Sequence, residues 1–195
     1  MKRFLRAIAD VYDGQSGPMT VELSSALRSS QQLSTKPPHE PGPTGEILDH
    51  MMAAHASAHH PLLNEIARVR NSLVWYSPSF ERIPEPIGSR LSVVELLGPD
   101  GLVFCDHCRL GLFLQMPDLF YPGHAHAADE LYLVLSGTAD WQLGGSEAIP
   151  RSPGSFIHHP SGHWHAMNTR SEPLLAIWGW TGDIGFDSYA IEAVP

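Results

Sequence analysis

The stretch YPGHAHAADELYLVLSG, Tyr121–Gly137, decides how this chain folds. His124 and His126 stand two apart, so on a β-strand both point to one face. Glu130 and Tyr132 have the same parity. An unbroken strand would aim all four inward; a kink at Ala127–Asp129 is expected, and the four side chains can still converge across it. Imidazole nitrogens and a carboxylate suit Zn, Fe, Ni or Mn. A second segment, HHPSGHWHAMN, His158–Asn168, supplies His159, His163 and His165. A ligand from that distant strand would close a site between strands. The chain holds 12 histidines, an excess that itself points to a metal.

The surroundings of this stretch are β-rich. From about Ile87, short runs of Val, Leu, Phe, Trp and Tyr alternate with Gly, Pro, Asp and Ser clusters. Strands are expected at Leu91–Leu96, Leu102–Cys105, Arg109–Met116, Glu130–Leu135, Ala139–Leu143, Ser155–His158, His163–Asn168 and Leu174–Trp180. Such spacing argues for an antiparallel sandwich or barrel. Residues 1–80 read differently. Phe4, Leu5, Ile8, Ala9 and Tyr12 trace one helical face. A second helix is expected over Val21–Leu33, with Thr20 as N-cap and Glu22 in its first turn. The Pro- and Gly-rich STKPPHEPGPTGE that follows reads as a loop. Helical patterning resumes at Glu46–His55 and at Pro61–Leu73, with Pro61 suited to the first helical position. His50, His55, His59 and His60 in this part read as solvated.

With 195 residues and 43% hydrophobic content, the chain can bury a core without staples. A formal net charge of −9 speaks against a nucleic-acid partner and gives no reason to bind an anionic membrane. No window approaches the roughly 18 apolar residues of a span, and Arg6, Asp10 and Asp13 interrupt the start where a signal peptide would be apolar. A cytoplasmic location is expected. The two cysteines, Cys105 and Cys108, sit in CDHC between apolar runs. That placement reads as a strand-to-strand turn with two half-buried thiols, not as the helix-opening CxxC of a redox site.

The pattern HxH–x3–E–x6–G at His124, His126, Glu130 and Gly137 resembles the ligand-bearing part of the first cupin motif. G–x5–PxGxxH at Gly154, Pro160, Gly162 and His165 resembles the second. Cupins often carry a glycine six residues before the first histidine, where Asp118 stands, and an asparagine four after the last, where Asn168 is three after. The resemblance implies a mainly β chain: a single antiparallel, jelly-roll-like cupin β-barrel over 81–195, with an α-helical region over 1–80 packed on it. It also implies one divalent transition metal, Zn, Fe(II) or Mn, held by His124, His126, Glu130 and His165.

Over most of its length, and most of all from Tyr121 to Trp180, the chain resembles the DddQ group of dimethylsulfoniopropionate lyases. That group implies His126, Glu130, Tyr132 and His165 as metal residues with His124 close by, whereas cupins at large use His124 in place of the tyrosine. The two patterns leave the choice open. The implied reaction is β-elimination of a zwitterionic sulfonium carboxylate to acrylate and dimethyl sulfide. Tyr132 is expected as general base and Tyr121 as the next candidate. Trp178, Trp180 and Tyr121 would hold the sulfonium through cation–π attraction, worth roughly 0.5–2 kcal/mol each, and His163 would orient the substrate carboxylate or tune the base. Core packing is the default reading of Trp178 and Trp180, and His158 and His159 read as structural residues. Two other readings stand beside the lyase: an iron dioxygenase, and a non-enzymatic zinc sensor that uses residues 1–80 as a partner surface. Cupins often dimerise, which leaves a homodimer open.

Overall fold

A computed structural model describes residues 1–29, 33–34, 60–78 and 83–193. The expected helix at Glu46–His55, with His50, His55 and His59, lies outside the described residues. Among the described residues no helix is long and apolar enough to cross a membrane, which says nothing of strands.

The chain begins with α1 (Lys2–Asp13) and α2 (Pro18–Ser29). The face foreseen for α1 is the buried one: Phe4, Leu5, Ile8, Ala9 and Tyr12 are all in the core. Helix α2 starts earlier than expected. Pro18 opens it, because a proline fixes φ near the helical value and needs no N–H at the first position. Thr20 therefore lies inside the first turn, and its hydroxyl donates to the Gly17 carbonyl at 2.9 Å instead of capping. Glu22 falls beyond that turn. Helix α3 (Pro61–Val69) opens at Pro61 as expected, with the His60 ring accepting from the Leu62 N–H. It tightens into a 3-10 turn at Arg70–Ser72 before Leu73. A short α4 (Glu85–Gly88) leads into the sheets.

Eleven strands follow: β1 (Leu91–Gly98), β2 (Val103–Phe104), β3 (Arg109–Gln115), β4 (Phe120–Ala125), β5 (Ala128–Ser136), β6 (Ala139–Leu143), β7 (Ile149–Arg151), β8 (Phe156–His159), β9 (His165–Thr169), β10 (Leu174–Gly182) and β11 (Ala190–Ile191). They form a six-stranded sheet, β2-β1-β3-β10-β5-β8, and a five-stranded sheet, β11-β4-β9-β6-β7. Among the described residues the strand pairings are antiparallel except the two-residue β1–β2 ladder, which is parallel. The architecture is a jelly-roll of two facing sheets. Strands β4, β7 and β11 escape hydrophobic patterning. Pro122 and Gly123 interrupt β4, Pro150 interrupts β7, and β11 is two residues long.

The six-stranded sheet is buried on both sides. Leu131, Leu133, Leu135, Leu175 and Ile177 point out to the helices; Tyr132, Val134, Ala176 and Trp178 point in to the other sheet. Leu23 of α2 seats in the space left by Gly179 on β10, where an added Cβ would lie 2.7 Å from a Leu23 methyl. Cys105 and Cys108 occupy the turn between β2 and β3, as the flanking runs suggested. They are fully buried rather than half-buried, at 3% and 0% exposure, because the helix layer covers the turn.

The cupin-like glycines have visible causes. Gly137 has φ +77°, and a side chain there would strike the Pro173 carbonyl at 2.0 Å. Asp118, standing where cupins often have glycine, adopts φ +49°. Asp is one of the few residues that tolerates this left-handed region, the one that favours glycine. Leu23→Ala should cost about 2–5 kcal/mol, read as a shift in urea unfolding. A loss below about 1 kcal/mol would mean that α2 is not docked as described.

Candidate metal centre

The chain crosses from the five-stranded to the six-stranded sheet at His126–Ala127, between β4 and β5. The kink thus falls slightly earlier than expected, and Ala128 and Asp129 already belong to β5. A bulge at Pro122–Gly123 shifts the β4–β9 register, so Tyr121 and His124 face the same way. Their rings stack at 4.1 Å. His124 pairs across the ladder with His165, which begins β9. Glu130 lies in β5 between His159 of β8 and Trp180 of β10.

These registers converge on Glu130. Trp180 Nε1 donates to its Oε1 at 2.7 Å. His159 Nδ1 donates to its Oε2 at 2.9 Å, while His159 Nε2 accepts from Trp141 Nε1 at 2.9 Å. That second bond fixes the neutral tautomer of His159. His126 Nε2 and His165 Nε2 lie 3.4 and 3.2 Å from the same Oε2. Burial alone would raise the Glu130 carboxyl. The His126 charge and the surrounding imidazoles outweigh burial and hold it well below the usual carboxylate range. Burial pushes His159 down to about 4.

The histidines are set as metal ligands are. His124, His126 and His165 each direct Nδ1 to a backbone carbonyl, of Pro122, Ala128 and His163, at 2.9, 3.1 and 2.9 Å. In His124 and His165 Nδ1 therefore carries the proton and Nε2 is left with its lone pair; His126 Nε2 instead bonds Glu130 Oε2, so that ring carries both protons and must lose one to bind an ion. His165 Nε2 is buried without a hydrogen bond. The donor atoms of His126, Glu130 and His165 all lie within 4.8 Å of one another. His124 stands beside them, its ring 4.1 Å from that of His165, but outside this group. Two imidazoles and a carboxylate fit a first-row divalent ion.

Over the centre opens a cavity with about 490 Å³ of empty space, part of it continuous with solvent. Tyr121, Tyr132, Trp178 and Trp180 line it, with Tyr76, Phe113, Phe186 and Tyr189, which sequence reasoning had not singled out. Tyr132 is buried next to Trp178 in register, and its phenol is held well above its ordinary range by burial and by the Glu130 charge. The Tyr121 and Tyr189 hydroxyls are hydrogen-bonded to each other. Burial raises Tyr121 as well.

His163 does not face the site. It precedes β9, so strand parity does not apply to it, and its side chain is exposed with Nδ1 3.2 Å from the Ser161 carbonyl. Its backbone carbonyl, not its ring, contributes, by anchoring His165. His159 was read as structural; the β5–β8 register brings it onto Glu130, and no short-range spacing announces that. Tyr189 and Phe186 come from the C-terminal tail, where the sequence shows no periodic pattern.

A family model described as dimethylsulfoniopropionate lyase matches residues 19–176. The dimethylsulfoniopropionate lyase DddQ of Ruegeria pomeroyi is 35% identical over 89 residues, which are 46% of this chain and 44% of that protein. The DddL protein of Cereibacter sphaeroides is 26% identical over 179 residues, covering 87% of this chain and 75% of the relative. The crystal structure of Ruegeria pomeroyi DddQ superposes with a TM-score of 0.76 at 20% identity, covering 97% of this chain and 94% of that one. At these identities the structural likeness establishes the fold.

Glu130→Ala should lower bound zinc by one equivalent per chain, measured by mass spectrometry of the metal after dialysis. Unchanged stoichiometry would mean the donor set is different. His159→Ala should leave the donors in place yet weaken metal affinity roughly 10–100-fold, the usual cost of losing an outer hydrogen-bond partner. A competition titration measures it.

Proposed function

The chain belongs to the dimethylsulfoniopropionate lyase family, and from that premise we propose that it cleaves dimethylsulfoniopropionate by metal-dependent β-elimination. One observation carries the reading. His126 and Glu130, two of the three grouped donors, line an aromatic cavity together with His124, and the Tyr132 phenol lies next to Glu130.

The substrate presents a carboxylate at one end and a sulfonium at the other. Among the described lining residues Glu130 is the only acid, and no Lys or Arg is present to repel the sulfonium. The faces of Trp178, Trp180 and Tyr121 attract that cation by roughly 0.5–2 kcal/mol each. A substrate whose carboxylate is drawn to an ion at His126, Glu130 and His165 would turn the carbon next to it toward Tyr132. The phenolate of Tyr132 takes the proton from that carbon. The freed pair forms the double bond of acrylate, and the carbon–sulfur bond breaks with its electrons going to sulfur, releasing neutral dimethyl sulfide.

A divalent ion at the three donors would supply Lewis-acid stabilisation of the charge building on the substrate carboxylate and would favour the phenolate nearby. The chain alone keeps Tyr132 protonated, through burial and the charge of Glu130. Tyr121, bonded to Tyr189, is the second candidate for the base. Trp180 does two things: its face walls the cavity and its N–H holds Glu130. Zn, Fe(II) and Mn all suit the donors.

Purified protein given dimethylsulfoniopropionate should release dimethyl sulfide and acrylate in equal amounts, followed by headspace gas chromatography and liquid chromatography. No release from folded, metal-loaded protein would reject the reading. Tyr132→Phe should lower turnover about 10²–10⁴-fold, the contribution of a positioned base, with metal content kept; near-normal turnover would remove Tyr132 from that role.

A further inference from the structure

The CDHC turn lies between β2 and β3, on the helix side of the six-stranded sheet, whereas the cavity lies on its other side. The Cys105 N–H donates to the Gly98 carbonyl at 3.1 Å and holds the turn. Both thiols are buried. Cys105 Sγ lies 3.5 Å from Cys108 Sγ and 3.5 Å from His107 Nδ1. The three donor atoms fall within 4.8 Å of one another.

We propose that Cys105, His107 and Cys108 form a second metal site, selective for a thiophilic ion of the zinc class. Tetrahedral zinc with bonds of about 2.3 Å to sulfur and about 2.0–2.1 Å to nitrogen sets sulfur–sulfur edges near 3.8 Å and sulfur–nitrogen edges near 3.6 Å. The two spacings from Cys105 need to change by only a few tenths of an ångström, and the third edge, from Cys108 to His107, is within 4.8 Å. The ring of His107 is exposed and also lies 3.1 Å from Asp106 Oδ1. With Nδ1 on Asp106, Nε2 lies 3.8 Å from Cys105 Sγ, so the carboxylate can hold one nitrogen while the other serves the thiols, the carboxylate–histidine arrangement that orients metal-bound imidazoles.

The fourth position opens toward α2. Glu22 of α2 and His107 line the same cleft. The charge of Glu22 also bears on Cys108, whose thiol is raised first by burial and then by Cys105. An ion here would tie the β2–β3 turn to the helix that docks through Leu23. This site is chemically distinct from the one under the cavity, which offers nitrogen and oxygen only, and it does not depend on the lyase reading. Oxidation of the pair to a disulfide is the competing fate; it would bring the sulfurs to about 2.05 Å and abolish the site.

The test is a cobalt(II) titration of the full chain, stripped of metal and kept reduced, followed by near-ultraviolet absorption. Two equivalents should bind, one of them giving a thiolate-to-cobalt charge-transfer band. The variant carrying Cys105→Ser and Cys108→Ser should bind one equivalent and lack the band. The single change His107→Ala, on an exposed side chain, should weaken the band-forming event by roughly tenfold or more. The absence of a charge-transfer band in folded wild-type protein overturns the proposal. So does a thiol count of zero under reducing conditions, or an unchanged affinity in His107→Ala.

Discussion

An ionised carboxylate buried between two sheets is the constraint on which the rest of the site depends. Taking such a group out of water costs several kcal/mol unless hydrogen bonds and opposite charge offset it. The jelly roll meets that cost through register. Glu130 sits mid-ladder in β5, so its cross-strand neighbours, His159 and Trp180, are fixed in place as its hydrogen-bond donors. Trp141, from the facing sheet, fixes the tautomer of His159 in turn. The same carboxylate oxygen faces Nε2 of His126 and of His165, whose rings are oriented by Nδ1 bonds to backbone carbonyls. The centre is thus set before any ion arrives, and a divalent cation would relieve the buried, unbonded Nε2 of His165.

The two faces of one sheet divide the labour. Odd positions of β5 (Leu131, Leu133, Leu135) bind the helix layer, while even positions (Glu130, Tyr132, Val134) line or back the cavity. A one-residue slip would exchange the chemistry for the core. The helices hold that register from outside, Leu23 filling the gap at Gly179. Gly162 ties the second motif to the first, its N–H donating to the His126 carbonyl at 2.8 Å from a left-handed φ of +72°.

Where function followed from local spacing, the sequence made it legible. The buried face of α1, the opening of α3 at Pro61, most strand positions and the convergence of His126, Glu130 and His165 come from periodicity and from two motifs. Asp118, where the motif often has glycine, takes a left-handed φ of +49°. Features set by non-local register stayed hidden. His159 reaches Glu130 only through the β5–β8 pairing, and Tyr189 reaches Tyr121 from a tail without pattern. His163 misled because strand parity was extended two residues past the true start of β9. The Tyr121–His124 stack arises from a bulge, which breaks the alternation on which parity arguments rest.

The most direct test of this account is metal add-back to the chain carrying Cys105→Ser and Cys108→Ser, so that only the Glu130 centre is filled. Stripped protein should be inactive toward dimethylsulfoniopropionate, and acrylate production should rise linearly with added metal and break at one equivalent per chain. Full turnover in the stripped protein, or metal bound without turnover, would contradict it.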